Sequence, residues 1–308
     1  MREAYWQDET AALYVNDARD LLTDMATGSV DCIVAFPPPW TPQSDGRDET
    51  SPARYIASLR GVLGQAHRVL ADTGTCWMAA SDCYLGEELA AGRIVRGHRR
   101  TIRNLITSQP AVSLAGLPWQ LAAAMHDDGW SIVNAIVWFH GGRGEKPEVG
   151  RFRLSYDTIF VLVKQAGYHF DVGGIEAALG CCSGEGAASR PCSAVTREMH
   201  DQGGSGENGR QRLLFGNPDA SAGRQDESRG KIFEDVWELP GRQERQLPVA
   251  VPLRCIAVGC RPGGTVLEVF TRSAATAIAA RQLERHFVGI AESAAVCRAV
   301  VDRLGQCR

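Results

Sequence analysis

The sequence predicts an α/β fold, a mostly parallel sheet with helices on both faces. Two observations carry that expectation. Short apolar, β-branched runs alternate with longer stretches whose apolar residues recur at helical spacing, the pattern of strands joined by crossover helices. Hydrophobic residues make up 44% of the 308-residue chain, ample to cover both faces of such a sheet. No apolar run reaches the length of a bilayer span.

The elements follow in order. Val30–Phe36 reads as a buried strand. Ser51–Leu70 reads as an amphipathic helix, because Tyr55, Leu59, Val62, Leu63, Ala66 and Leu70 fall near one face. The turn Asp72-Thr73-Gly74 introduces a strand over Thr75–Ala80. A helix is expected from about Pro118 to Asp127, with proline in its first turn, where a missing N–H costs nothing. Ile132–Phe139 and Thr158–Val163 are β-branched and apolar, and are predicted to pair as strands. From Gly173 to Gly230 the chain is dense in Gly and Ser with scattered charge, the composition of a long flexible insertion. Pattern resumes at Val236-Trp237-Glu238-Leu239-Pro240. A helix over Pro248–Gly259, a strand over Thr265–Phe270, a helix over Ser273–Arg281, a strand over His286–Ile290 and a helix over Val296–Leu304 complete the series.

Composition bounds the function. A net charge of −3 argues against a uniformly basic nucleic-acid binder, so contact with DNA would come from local patches. One such patch is the acid-free stretch between Glu88 and Asp127, where Arg93, Arg96, His98, Arg99, Arg100 and Arg103 crowd together. It can neutralise phosphates, and it reads equally well as a solvated face. Met1–Thr10 is polar and carries acids, unlike a secretory leader, so a soluble cytoplasmic protein without a membrane partner is expected. Of ten cysteines, Cys32, Cys76, Cys255 and Cys260 lie in or beside apolar runs, where cysteine behaves as a small hydrophobe. Cys181, Cys182 and Cys192 cluster without C-x-x-C or matching histidine spacing, so free thiols and no metal are expected. His67, His140, His169 and His286 read as structural or surface residues, and Trp119, Trp138 and Trp237 as core.

Several blocks share an order with a known family. Leu13-Tyr14-Val15-Asn16-Asp17-Ala18 and Ser29-Val30-Asp31-Cys32-Ile33-Val34 are followed by the proline run Phe36-Pro37-Pro38-Pro39-Trp40. Gly116-Leu117-Pro118-Trp119-Gln120, Gly129-Trp130 through Trp138, and Ser155-Tyr156-Asp157-Thr158-Ile159-Phe160 with Lys164, Tyr168 and Phe170 come next. Asp235–Pro240 and Val266–Thr276 close the series. Together they resemble the β class of DNA amino-methyltransferases, whose catalytic half precedes the cofactor half. The resemblance implies a Rossmann-like S-adenosylmethionine-dependent methyltransferase fold in one domain over 1–308. Its catalytic half would span 10–171, an insertion with target-recognition elements 172–232, and its cofactor half 233–308. Within the insertion, Arg197, Arg210, Arg212, Arg224, Arg229 and Lys231 would be candidates for ordering on DNA.

The implied reaction is methyl transfer from S-adenosylmethionine to an exocyclic amine, cytosine-N4 or adenine-N6, of a base flipped out of double-stranded DNA. In the family, a D-P-P-Y or S-P-P-Y tetrapeptide holds the amine with a side-chain acceptor and a proline carbonyl, and its aromatic stacks on the base. Here the ungapped alignment places Phe36 at the acceptor and Pro39 at the aromatic. Shifted by one, Pro37-Pro38-Pro39-Trp40 keeps the aromatic as Trp40 but still lacks the side-chain acceptor. The family's D-P-F-x-G-S-G-T-T turn corresponds to Glu268, Phe270, Arg272, Ala274 and Thr276, with arginine and alanine at the two glycines and Arg272 expected to occlude the cofactor's methionine end. The ribose-binding acid of the family aligns with Ala291, leaving Glu292 adjacent. Two functions therefore stay open: an active methyltransferase, or a catalytically inactive DNA-binding or partner subunit on the same fold, in either case with a homodimer as one expected assembly.

Overall fold

A computed structural model describes residues 3–40, 51–84, 113–140, 152–171, 173, 234–239 and 247–306. The arginines at 93–103, the insertion between 174 and 230, its cysteines and basic residues, and Pro240 lie outside the described residues.

The chain opens with β1 (Trp6–Gln7) and β2 (Ala11–Val15), then α1 (Ala18–Asp24), β3 (Val30–Ala35), α2 (Pro52–Val69) and β4 (Leu70–Ala80). It continues through α3 (Leu117–Asp127), β5 (Ser131–Phe139), β6 (Tyr156–Val163) and β7 (Val236–Glu238). The last part is α4 (Ala250–Gly259), β8 (Thr265–Glu268), α5 (Ala275–Gln282), β9 (His286–Ala291) and α6 (Ala294–Gln306). One nine-stranded sheet runs in the order β1-β2-β9-β8-β3-β4-β6-β5-β7. Five of its eight strand pairings are parallel (β2·β9, β3·β4, β3·β8, β5·β7 and β8·β9). The antiparallel pairs are β1·β2 and the two that β6 makes with β4 and β5. β7 therefore joins the C-terminal segment to the far edge of the sheet, beside β5.

Helices cover both faces, as the alternation of patterns predicts. One core is closed by α1, α2 and α3 over Ile33, Ala35, Cys76, Met78, Phe160 and Leu267. The other is closed by α4, α5 and α6 over Cys32, Val34, Trp77, Val161 and Val266. Consecutive strand residues divide between the two cores because side chains alternate along a strand, so each sheet residue serves one helical layer. Helix α2 starts where Ser51 accepts an N–H from Arg54 and Pro52 occupies the first turn. Its predicted face, Tyr55, Leu59, Val62, Leu63 and Ala66, is buried.

Boundaries differ from expectation in physical detail. β3 stops at Ala35, and Phe36 begins the loop. β4 begins at Leu70, because the Asp72-Thr73-Gly74 stretch is absorbed by a register shift between the Val30–Leu70 and Cys32–Thr75 pairs. β8 stops at Glu268, so Val269 and Phe270 belong to the turn. Cys32, Cys76, Cys255 and Cys260 are free and buried, as expected of cysteines acting as small hydrophobes. Trp138 and Trp237 are core, but Trp119 is 60% exposed, which corrects its assignment to the core. No helix among the described residues is long and apolar enough to cross a membrane.

Candidate functional site at the carboxyl edge of the sheet

β8 and β3 are parallel neighbours, with Val34 opposite Glu268. From β8 the chain crosses through α5 to β9 on one side, whereas from β3 it crosses through α2 to β4 on the other. That divergence leaves a crevice beyond the carboxyl ends of β8 and β3, the place where open α/β sheets bind ligands. Both motifs singled out in the sequence, Phe36–Trp40 and Phe270–Thr276, leave the sheet at this crevice.

The proline run is anchored on both sides. Phe36 is 5% exposed and packs in the α4–α6 core. Trp40 is 6% exposed and packs in the α1–α3 core, so little of its ring is open to a base. Pro37 is buried, Pro38 half-buried and Pro39 exposed. The Tyr55 hydroxyl donates to the Pro38 carbonyl at 2.9 Å, which ties the run to α2 and orients that carbonyl. With phenylalanine at 36, the acceptors of this run are its backbone carbonyls.

The turn after β8 keeps its shape without the glycines. Ala274 has φ −78° and ψ −1°, ordinary right-handed values, and is buried. Among the described residues Glu284 is the one non-glycine with positive φ, so Arg272 and Ala274 sit in conformations open to any L-residue. Arg272, expected to occlude, is exposed. Phe270 is half-buried and Thr276 fully buried.

Glu268 is the unusual residue here. It is 3% exposed, and one carboxyl oxygen, Oε1, accepts from the Thr276 hydroxyl at 2.6 Å. The other, Oε2, is buried without a hydrogen-bond partner. Burial pushes the carboxyl up to about 8 against the pull of the Thr276 and Thr271 hydroxyls, so the group holds its proton near neutrality. At the end of β9, Ala291 is buried and Glu292 exposed. The Ala291 carbonyl accepts from the Asn16 N–H at 3.0 Å, which brings Asn16 and Asp17 beside Glu292. The sequence motif contains Asn16 and Asp17, but their proximity to β9 is visible only in the sheet order.

A hollow at the carboxyl end of β4 is lined by Ala80, Asp82, Trp119, Tyr156 and Thr158 among others. Asp82 builds one wall: its carboxylate accepts the N–H groups of Gly116 at 3.1 Å and Leu117 at 3.2 Å. Gly116 itself adopts φ 70° and offers no side chain to cap α3, so the distant carboxylate does that work at the positive end of the helix. Asp82→Ala is expected to cost about 1–2 kcal/mol in urea unfolding. An unchanged unfolding midpoint would show that Asp82 does not support α3.

The sequence comparisons agree with this geometry. The Type II methyltransferase M.Cfr9I of Citrobacter freundii is 26% identical over 310 residues, covering 96% of this chain and 87% of that protein. The Type II methyltransferase M.SmaI of Serratia marcescens is 25% identical over 296 residues, covering 90% and 85%. Among solved structures, the cytosine-N4-specific PvuII DNA methyltransferase has a TM-score of 0.62 at 13% identity, covering 98% of this chain and 89% of that one. A putative DNA modification methylase of Thermus thermophilus, complexed with S-adenosyl-L-methionine, has a TM-score of 0.61 at 17% identity, covering 97% and 95%. These two likenesses bear on the fold, an α/β Rossmann-like methyltransferase fold. Residues 30–302 match the family model for DNA methylase, and the chain belongs to that family.

Proposed function

We propose that this chain transfers a methyl group from S-adenosylmethionine to an exocyclic amine of a base in double-stranded DNA. The observation that carries the reading is the juxtaposition of the proline run and the turn after β8 at one crevice, on adjacent strands β3 and β8. Strands in a sheet lie about 5 Å apart, so a group held by one loop is within reach of a group held by the other.

The residues fit the cofactor. S-adenosylmethionine carries an ammonium and a sulfonium, and the orphaned Oε2 of Glu268 becomes, once the carboxyl gives up its proton, a buried acceptor that a cation would satisfy. Ala274 takes ordinary right-handed angles, so the turn keeps its form with alanine where the family has glycine. When bound, the cofactor supplies an electrophilic methyl group. The chain's own part is positioning: carbonyls of Pro37 and Pro38 accept the amine N–H, and Tyr55 fixes the second of them. The relatives M.Cfr9I and M.SmaI are Type II methyltransferases, which supports the substrate class.

Phe36 favours a second reading, a DNA-binding subunit without methyl transfer, because a buried phenyl ring offers no acceptor where the family places one. Calorimetric titration with S-adenosylmethionine, followed by transfer of labelled methyl groups to unmethylated duplex DNA, separates the two. Binding with incorporation is expected. Absence of binding at millimolar cofactor would sink the methyl-transfer reading, and binding without incorporation would leave the second one.

A further inference from the structure

Resting on the reading above, we propose that Trp119 supplies the stacking surface for the flipped base, in place of the aromatic that the proline run lacks at Pro39. The role needs a wide aromatic face, open to solvent, beside the acceptor carbonyls and held so that it does not collapse into the core. Trp40 is nearly buried and Pro39 has no π-face. Trp119 is 60% exposed, an unusual state for the largest apolar side chain on a helix whose neighbours Leu117, Pro118, Leu121 and Ala122 are buried.

Its position meets the remaining requirements. Trp119 lines the same hollow as Ala80, the last residue of β4. Ala80 and the proline run both follow the last β3–β4 pair, Ala35–Met78, so hollow and run lie at the carboxyl end of the same two neighbouring strands. The indole packs edge-on against Phe160, centroids 5.9 Å apart and planes at 76°, which fixes the ring. The α3 turn that carries it is fastened by Asp82 to the end of β4, and by Gln120, whose side-chain N–H donates to the Ala115 carbonyl at 2.7 Å. Tyr156, an exposed residue of the same lining, carries a hydroxyl able to bond a base edge. An aromatic platform beside polar groups at the end of a flipping path suits a nucleobase, because every base has a π-face.

The test uses the full chain with Trp119→Ala, Trp119→Leu and Trp119→Phe. Two readouts are taken: anisotropy of a labelled single-stranded oligonucleotide, and kcat/KM for methyl transfer to unmethylated duplex DNA. Ala and Leu are expected to weaken one or both by about 5- to 150-fold, the range of a base–aromatic stack, while Phe retains most of the wild-type value. Calorimetric affinity for S-adenosylmethionine should stay unchanged in all three, which a folding defect would not permit. Leu conserves apolar bulk without a π-face, so equal behaviour of Leu and Phe in both readouts overturns the proposal. A Leu–Phe split in oligonucleotide binding from a chain that transfers no methyl group would uphold the stacking role and reject the methyl-transfer reading. A split absent from a chain that does methylate would do the reverse.

Discussion

Gly259→Ala is expected to destabilise the fold by roughly 3 kcal/mol, read as a lower urea midpoint. Gly259 ends α4, where the helix meets β4 through a buried knot of polar atoms. The Thr75 hydroxyl donates to the Gly259 carbonyl at 2.9 Å and accepts the Trp77 indole N–H at 2.9 Å. A methyl group on Gly259 would stand 2.3 Å from both Thr75 Oγ1 and Trp77 Nε1. Neither can yield easily: Thr75 is fully buried, and Trp77 is held in a stack with Trp237, centroids 6.1 Å apart. Relief requires moving α4 off the sheet or leaving a buried donor unpaired, and alanine's better helix propensity recovers at most about 1 kcal/mol. Gly64 is the control. It lies inside α2, and a methyl group added there would meet nothing within 4 Å, so Gly64→Ala should be neutral or raise stability by up to about 1 kcal/mol. Equal effects of the two substitutions would refute the packing argument.

That knot also marks where reading a sequence stops. Thr75, Trp77 and Gly259 each have ordinary local roles, and only the crossing of α4 over β4 makes them one unit. The strands that build the centre of the sheet were legible, since Val30–Ala35, Thr75–Ala80 and His286–Ile290 are apolar runs fitted to burial on both faces. β1, of two residues, and α1, of seven, are too short to show a period and owe their form to pairing and packing. The site divides in the same way. Phe36, Arg272 and Ala291 stand out against a family pattern because each departs from it. The exposure of Trp119 has no such mark, because an apolar residue in the first turn of an amphipathic helix reads as core. The support of Trp119 by Asp82 is equally hidden, since the two segments are separated by a long stretch of chain.

Glu268 leads to the second large effect, a pH-dependent loss of stability that Glu268→Gln should remove. Burial holds the folded carboxyl near 8 against an ordinary value of 4.5. The folded state therefore keeps a proton that the unfolded chain releases as pH rises. By linkage, the group's contribution is fully present below about pH 4.5, is lost progressively as pH climbs through about 8, and is flat beyond. At about 1.4 kcal/mol per pH unit the loss across that window reaches roughly 5 kcal/mol. Glutamine cannot ionise, and its side-chain carbonyl can still accept from the Thr276 hydroxyl. Urea unfolding of the two proteins should agree at pH 4.5 and diverge toward pH 8.5, with the glutamine variant the more stable; parallel curves would show that Glu268 titrates normally. The same substitution should act oppositely on the proposed cofactor, because a neutral amide gives up the charge that a bound cation would pair with. A loss of about 10-fold or more in affinity for S-adenosylmethionine at pH 8 is expected by calorimetry. A variant that is both more stable and a poorer binder would identify Glu268 as a carboxyl kept buried, at a cost to the empty fold, for the ligand that completes it.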